Sequence, residues 1–240
     1  MRNVARLFQL LTLGVGLAAG GVSVAEDLTP HSAEYKVRIS VLSGKLNTRL
    51  VKTDSGYEAN HRVVPAGMSK MFVRGAIEEI SGFEATEDGV LPLRYSSNDT
   101  LSRDKTRADV TFDWSTGAIS GTVNDEKIES VLEDIAHDRV SIQYELMYDM
   151  LNGGASGTYT MFDIDRLKTI NVTLIGSKKI KVPAGRFDAV GVQHQTVGSS
   201  RTTTLWCVEE LDFLPVIIEQ HRKGKLKMRA KLTKYSPEAT

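Results

Sequence analysis

Apolar and polar side chains alternate with a period of two through most of the chain, and no other feature narrows its fold as far. Tyr35, Val37, Ile39 and Val41 alternate with Lys36, Arg38 and Ser40, so an extended segment here has one apolar and one wet face. Gly44 closes that run and Leu46 to Val51 opens a second. Asp54-Ser55-Gly56 then turns the chain into a third at Tyr57 to Val64, which makes a meander. Short, turn-bounded runs follow at Phe72 to Ser81, Leu91 to Asn98, Ala108 to Trp114 and Ala118 to Val123. A second series covers Thr158 to Phe162, Thr169 to Ile175, Lys178 to Val182, Phe187 to Val197, Thr202 to Val208, Pro215 to Glu219 and Leu226 to Tyr235.

One segment breaks the pattern. From Asp138 to Leu151 the apolar residues fall at helical spacing: Val140, Tyr144, Met147 and Leu151 form one row, with Ile142, Leu146 and Met150 beside it. Asp138 is placed to cap this helix and Asn152-Gly153-Gly154 to end it. Two adjoining rows give a broad stripe, which suits a helix lying on a sheet. The order strands, helix, strands argues against repeated βαβ units. The expectation is a mainly β fold: an antiparallel curved sheet, half-barrel or barrel, with one main helix packed against it. Many short strands tend to curl, because an open sheet leaves long edges exposed.

The first residues read as an address. Arg2 and Arg6 precede an apolar run from Leu7 to Ala19, and small residues follow as far as Ser23-Val24-Ala25. About 13 apolar residues interrupted by glycine are too few to span a bilayer, which needs roughly 20. Residues 1–25 are therefore expected to be a cleaved signal peptide and residues 26–240 a single β-rich domain in the periplasm. The mature chain carries 28 basic and 30 acidic side chains. Near-neutrality argues against non-specific nucleic-acid binding, which needs a large positive excess. The lone cysteine, Cys207, can form no internal disulfide and lies in apolar Leu205-Trp206-Cys207-Val208, so a buried inert thiol is expected. No cysteine stands directly after the leader, so no lipid anchor is expected; the short leader argues against a transmembrane anchor, and a monomer is expected.

Catalytic chemistry leaves no mark on this sequence. The five histidines, His31, His61, His137, His194 and His221, lie far apart and none belongs to an H-E-x-x-H pattern. Ser156 fails the nucleophile-elbow pattern because Thr158 stands where its second glycine belongs. Asp163-Ile164-Asp165 lacks the remaining oxygen ligands of a calcium loop. No catalytic residue, no metal ligand and no cofactor is assigned.

The charge pattern is more informative. Arg222 to Lys234 holds seven bases and no acid, and Lys225, Lys227, Arg229 and Lys231 share one face of an alternating strand. Such a row suits an anionic envelope component, or alternatively guards an edge strand against pairing. Trp114 and Trp206, on predicted strands, are candidates to line a ligand cavity or simply to fill the core.

Val182-Pro183-Ala184-Gly185-Arg186-Phe187-Asp188-Ala189-Val190, then Trp206, then Leu214-Pro215-Val216-Ile217-Ile218-Glu219 resemble the C-terminal signature of the exported bacterial family called domain of unknown function 3108. The Tyr35 strand, Gly89-Val90-Leu91-Pro92 ahead of Tyr95, and Asp138 to Tyr144 at the helix start fit the same layout over residues 31–235. The resemblance implies an exported β-rich protein and brings no catalytic residue with it. Three functional expectations stand: an accessory protein holding an apolar or envelope-derived ligand, an interaction protein working through the basic C-terminal strand, or an enzyme with a site assembled from distant strands. The partner, ligand or protein, is expected in the cell envelope.

Overall fold

A computed structural model describes residues 27–238, so residues 1–25, expected from the sequence to be a signal peptide, lie outside the described residues. The first half of the chain forms β1 (His31–Ile39), β2 (Leu42–Thr53), β3 (Gly56–Pro65), β4 (Ile77–Thr86), β5 (Gly89–Asp99), β6 (Thr106–Asp113), β7 (Ala118–Val123), β8 (Glu126–Val131) and β9 (Ala136–His137). The helix α1 (Ser141–Leu151) follows. Then come β10 (Gly157–Phe162), β11 (Leu167–Val182), β12 (Gly185–Thr196), β13 (Arg201–Val208), β14 (Leu214–Arg222) and β15 (Lys225–Pro237).

All fifteen strands join one curved sheet in the order β8-β7-β6-β5-β4-β3-β2-β1-β15-β14-β13-β12-β11-β10-β9. The sheet is mostly antiparallel and does not close by hydrogen bonds, with β8 and β9 as its two edges. Edge β9 is only two residues long and packs against β5, and α1 lies against β5, β4 and β9. Mainly β, curved, with one helix against the sheet is what the alternation predicts. One departure is the β9–β10 pair, which is parallel and spans the helix. At two residues it is too short to leave a sequence pattern.

The helix is nearly encircled. Tyr144, Met147 and Tyr148 join a large core with Tyr35, Phe83, Tyr95 and Phe112, while Ile142 and Leu146 join a second with Ile170, Val192, Leu205 and Cys207. Two cores, one on each flank, explain the two apolar rows. Asp138 caps the helix: its Oδ1 accepts from the backbone N–H of Val140 (2.7 Å) and Ser141 (2.9 Å), and its own N–H donates to Ser141 Oγ at 2.9 Å. This reciprocal arrangement satisfies donors that a helix start otherwise leaves orphaned. The hydrogen-bonded helix therefore starts at Ser141, three residues after the position the spacing gives.

Several strand boundaries differ from the sequence reading. Val41 lies in the turn after β1, and Gly44, read as closing the first run, lies inside β2, which begins at Leu42. Phe72–Ser81 is not one strand: Gly67–Met71 is a 3-10 turn, Phe72 is exposed, and β4 begins at Ile77. Gly75 breaks the run with a φ of +108°, where a Cβ would meet the Thr100 carbonyl oxygen at 2.4 Å. Thr169–Ile175 and Lys178–Val182 are a single strand, β11, with a register shift between Leu174 and Ser177 around Gly176. Polar edge strand β8 escapes detection because its only aliphatic residues, Ile128 and Val131, do not alternate strictly.

Candidate functional site

The outer face of the sheet carries a basic groove built by three segments distant in sequence. On β1 the polar half of the alternation, Lys36 and Arg38, points away from the core that Tyr35 and Val37 enter. β15 pairs antiparallel with β1 and sets Lys231 opposite Lys36 and Arg229 opposite Arg38. The third segment is the β11–β12 hairpin tip. β14 follows β15 only as far as Lys231, and beyond it the Ala184 N–H donates to the Leu232 carbonyl at 3.2 Å. The hairpin is held down by packing as well: Ile180 and Val182 are buried with Trp206 and Ile217, and Lys178 Nζ stands 3.5 Å over the Trp206 ring.

These segments enclose about 740 Å³. Lys36, Arg38, Lys181, Lys227, Arg229 and Lys231 supply its charge, Val182, Pro183, Leu226 and Met228 its apolar lining, and Ser40 one end. Arg229 is neutralised by Glu219, with Nε and Nη2 both 2.6 Å from Oε1. The other five cations make no ion pair among the described residues. Like charges directly opposite on neighbouring strands are destabilising. Lys36 and Lys231, so opposed beside an apolar lining, form an environment that an acidic head group with a hydrocarbon tail would satisfy at both ends.

Of the residues singled out from sequence, Lys227, Arg229 and Lys231 meet in this groove. Lys225 lies next to it, in a shallow basic depression with Arg222, Lys223 and Lys227. Trp206 is buried beneath the hairpin and supports the groove without lining it. Trp114 is elsewhere, stacked on Phe112 with its Nε1–H donating to the Pro92 carbonyl at 2.7 Å. Lys36, Arg38 and the tip residues Lys181 to Pro183 escape the sequence reading. The wet face of β1 was visible, but its neighbour, nearly 200 residues away, was not.

A second depression, of about 720 Å³, is more polar. It contains Arg139, Lys168, Arg201, Arg222, His194 and Asp163. Asp163 pairs with both Lys168 and Arg139, the latter at 2.6 Å, so part of its positive charge is already balanced. Its apolar lining is Ile142, Met161 and Val197.

The buried ionisable groups do not converge on either depression as a catalytic set. His137 Nε2 is 3.8 Å from Glu145 Oε1, beyond hydrogen-bonding reach, and both side chains are buried. Glu145 Oε2 instead accepts from the Val90 N–H at 2.6 Å. Gly89 permits this approach, since a Cβ there would lie 2.8 Å from the carboxyl oxygens. Burial pushes Glu145 up to about 7 and His137 down to about 4, so both are neutral over the range between. Burial also pushes the Cys207 thiol up to about 12. Among the described residues no cluster of three or more His, Cys, Asp or Glu side chains converges.

A carboxyl raised on folding stabilises the protein fully below its unfolded value of 4.5 and loses that contribution as pH climbs through about 7. Glu145→Gln retains an acceptor for Val90 without the charge. The variant is expected to melt near wild type at pH 5 and above it at pH 8.5, by up to about 2 kcal/mol. Parallel melting curves at both values would refute this reading. His61, His137 and His194, all lowered to about 4 by burial, act in the opposite sense. Their contribution is complete above 6.5 and disappears as pH falls toward 4.

Comparison with known proteins places this arrangement in context. A family model described as "Protein of unknown function (DUF3108)" matches residues 32–231. No curated protein sequence matches. Among solved structures, a β-barrel-like protein of the domain of unknown function DUF1849 from Brucella abortus superposes with a TM-score of 0.60 at 15% identity, over 89% of this chain and 99% of that one. At this identity the likeness concerns the fold alone. A candidate exported protein with a YmcC-like fold from Bacteroides fragilis gives a TM-score of 0.36 at 11% identity, over 88% and 97% of the two chains. A candidate lipoprotein from Parabacteroides distasonis gives 0.36 at 14%, over 88% and 96%. No described helix is long and apolar enough to cross a membrane.

Proposed function

This chain belongs to the DUF3108 family, and from that premise we propose that it is an exported periplasmic binding protein whose basic groove holds an anionic amphiphile. The ligand class is a hydrocarbon chain ending in a phosphate or carboxylate. One observation carries the reading: five cations without ion pairs and four apolar residues share one 740 Å³ groove. The leader pattern at residues 1–25 supports export. The role is binding and not catalysis, since the groove holds cations and hydrocarbon with no nucleophile paired to a base.

Titration calorimetry with dodecyl phosphate below its micelle concentration tests the proposal. Dodecyl phosphate is expected to bind at least about ten-fold more tightly than either inorganic phosphate or the uncharged dodecyl maltoside, since each lacks one half of the recognition. Replacing Lys36, Lys227 and Lys231 together by Ser should weaken binding by about 100-fold, at roughly 1 kcal/mol per lost charge-assisted contact. Equal affinity for wild type and the triple variant would remove the groove as the site.

A further inference from the structure

The end of the sheet beside the groove combines exposed hydrocarbon with several cations that make no ion pair among the described residues. The turn between β1 and β2 carries Ile39, Val41 and Leu42, with Val41 90% exposed. The 3-10 turn after β3 carries Met68 and Met71, followed by Phe72, each more than 70% exposed. The two turns form one structure: Gly44 stands opposite Pro65, the Ala66 N–H donates to the Ser43 carbonyl at 2.9 Å, and the Ser43 N–H donates to Ser69 Oγ at 2.8 Å. Large apolar side chains are therefore held outward together, on a rigid base, where a soluble domain gains nothing from them.

Residues 36–53, 61–76 and 220–237 contain no Asp or Glu and carry fifteen Lys and Arg, of which Arg49, Lys52, Arg62 and Arg229 pair with Glu238, Asp27, Glu78 and Glu219. Arg38, Lys45, Lys70, Arg74, Lys225 and Lys227, on the segments that meet at this tip, make no ion pair among the described residues. The acids are concentrated elsewhere: residues 76–135, which form β4 to β8, hold fourteen acids against five bases. Protruding flexible Met and Phe side chains with flanking lysines match the interface of an anionic bilayer. There, apolar groups enter the boundary between head groups and chains while the cations stay among the phosphates. A folded protein partner would call instead for a shaped pocket and mixed charges. Ser40, one residue before Val41, lines the groove, so the groove reaches this tip.

We infer that the β1–β2 turn and the adjoining 3-10 turn form a docking tip that inserts Val41, Met68, Met71 and Phe72 into the surface of an anionic membrane. Docking brings the Ser40 end of the groove to the lipid, a consequence that rests on the amphiphile-binding reading. Insertion itself rests only on the tip.

Sedimentation of the purified protein with mixed phosphatidylglycerol–phosphatidylethanolamine vesicles, and with neutral phosphatidylcholine vesicles, tests the inference. Wild type is expected to pellet with the anionic vesicles and to stay in solution with the neutral ones. A variant combining Met68→Ser, Met71→Ser and Phe72→Ser should lose at least about ten-fold in vesicle affinity. These side chains are exposed, so its melting temperature should match wild type, and its affinity for dodecyl phosphate should be unchanged. Wild type left in the supernatant, wild type pelleting equally with both lipids, or a triple variant that pellets like wild type would each overturn the inference. Tip-dependent pelleting in a protein that does not bind dodecyl phosphate would sustain the docking and defeat the groove reading, so the two failures are distinct.

Discussion

Tyr144→Ala should destabilise the protein by about 4 kcal/mol, the loss typical of truncating a fully buried aromatic side chain. Tyr144 projects from the helix into the larger core, where its ring stacks on Phe83 with centroids 5.4 Å apart and lies near the rings of His31 and His61. No other element can fill the space it would vacate, because helix and sheet meet there from opposite sides. Tyr144→Phe separates volume from hydrogen bonding: it removes only the hydroxyl, 3.4 Å from His61 Nε2, and should cost about 1 kcal/mol or less. Urea unfolding with a common slope measures both. Equal midpoints for the alanine variant and wild type would mean that the helix does not anchor the core.

Asp138→Ala should be nearly as damaging, by about 3 kcal/mol, for a different reason. The fully buried carboxylate accepts from two backbone N–H groups and, at 2.6 Å, from the Ser81 hydroxyl of β4. Alanine would leave all three donors without an acceptor in the interior. Asp138→Asn retains one carbonyl oxygen and should fall between the two. Burial raises Asp138 to about 6, against a usual 3.8, so its ionisation opposes folding as pH climbs through that value. The gap between wild type and the alanine variant should therefore be wider at pH 4.5 than at pH 7.5. A gap that narrows in acid would show that the carboxylate hydrogen bonds, and not burial, dominate this site.

How far each level of structure could be read from sequence depended on how local its cause is. Alternation in Tyr35–Arg38 identified the strand and both of its faces because pleating is a property of the strand itself, but it ran on too far: β1 ends at Ile39, and Ile39 and Val41 are exposed. Asp138, the two apolar rows and Asn152-Gly153-Gly154 bounded the helix for the same reason. Phe72 was misread because hydrophobicity usually signals burial, whereas here Met68, Met71 and Phe72 protrude. The groove was half visible. Lys227, Arg229 and Lys231 form a local pattern, but their partners Lys36 and Arg38 are set by strand order and Lys181 by where a hairpin tip lands. Neither cause leaves a trace within a window of a few residues. Trp206 read as either a cavity-lining or a core aromatic, and the hairpin folded over it puts it in the core.

The meeting of β1 with β15 at the middle of the sheet also governs the order in which the molecule comes into being. Every other antiparallel pair joins consecutive strands, so two meanders, β1 to β8 and β10 to β15, can zip locally. The seam between them closes a loop of nearly the whole chain, and contacts of such long separation are the slow ones. Since the groove straddles that seam, it is assembled last. A chain emerging from N- to C-terminus cannot present a finished site until its final strand arrives, which makes ligand capture a report that folding is complete.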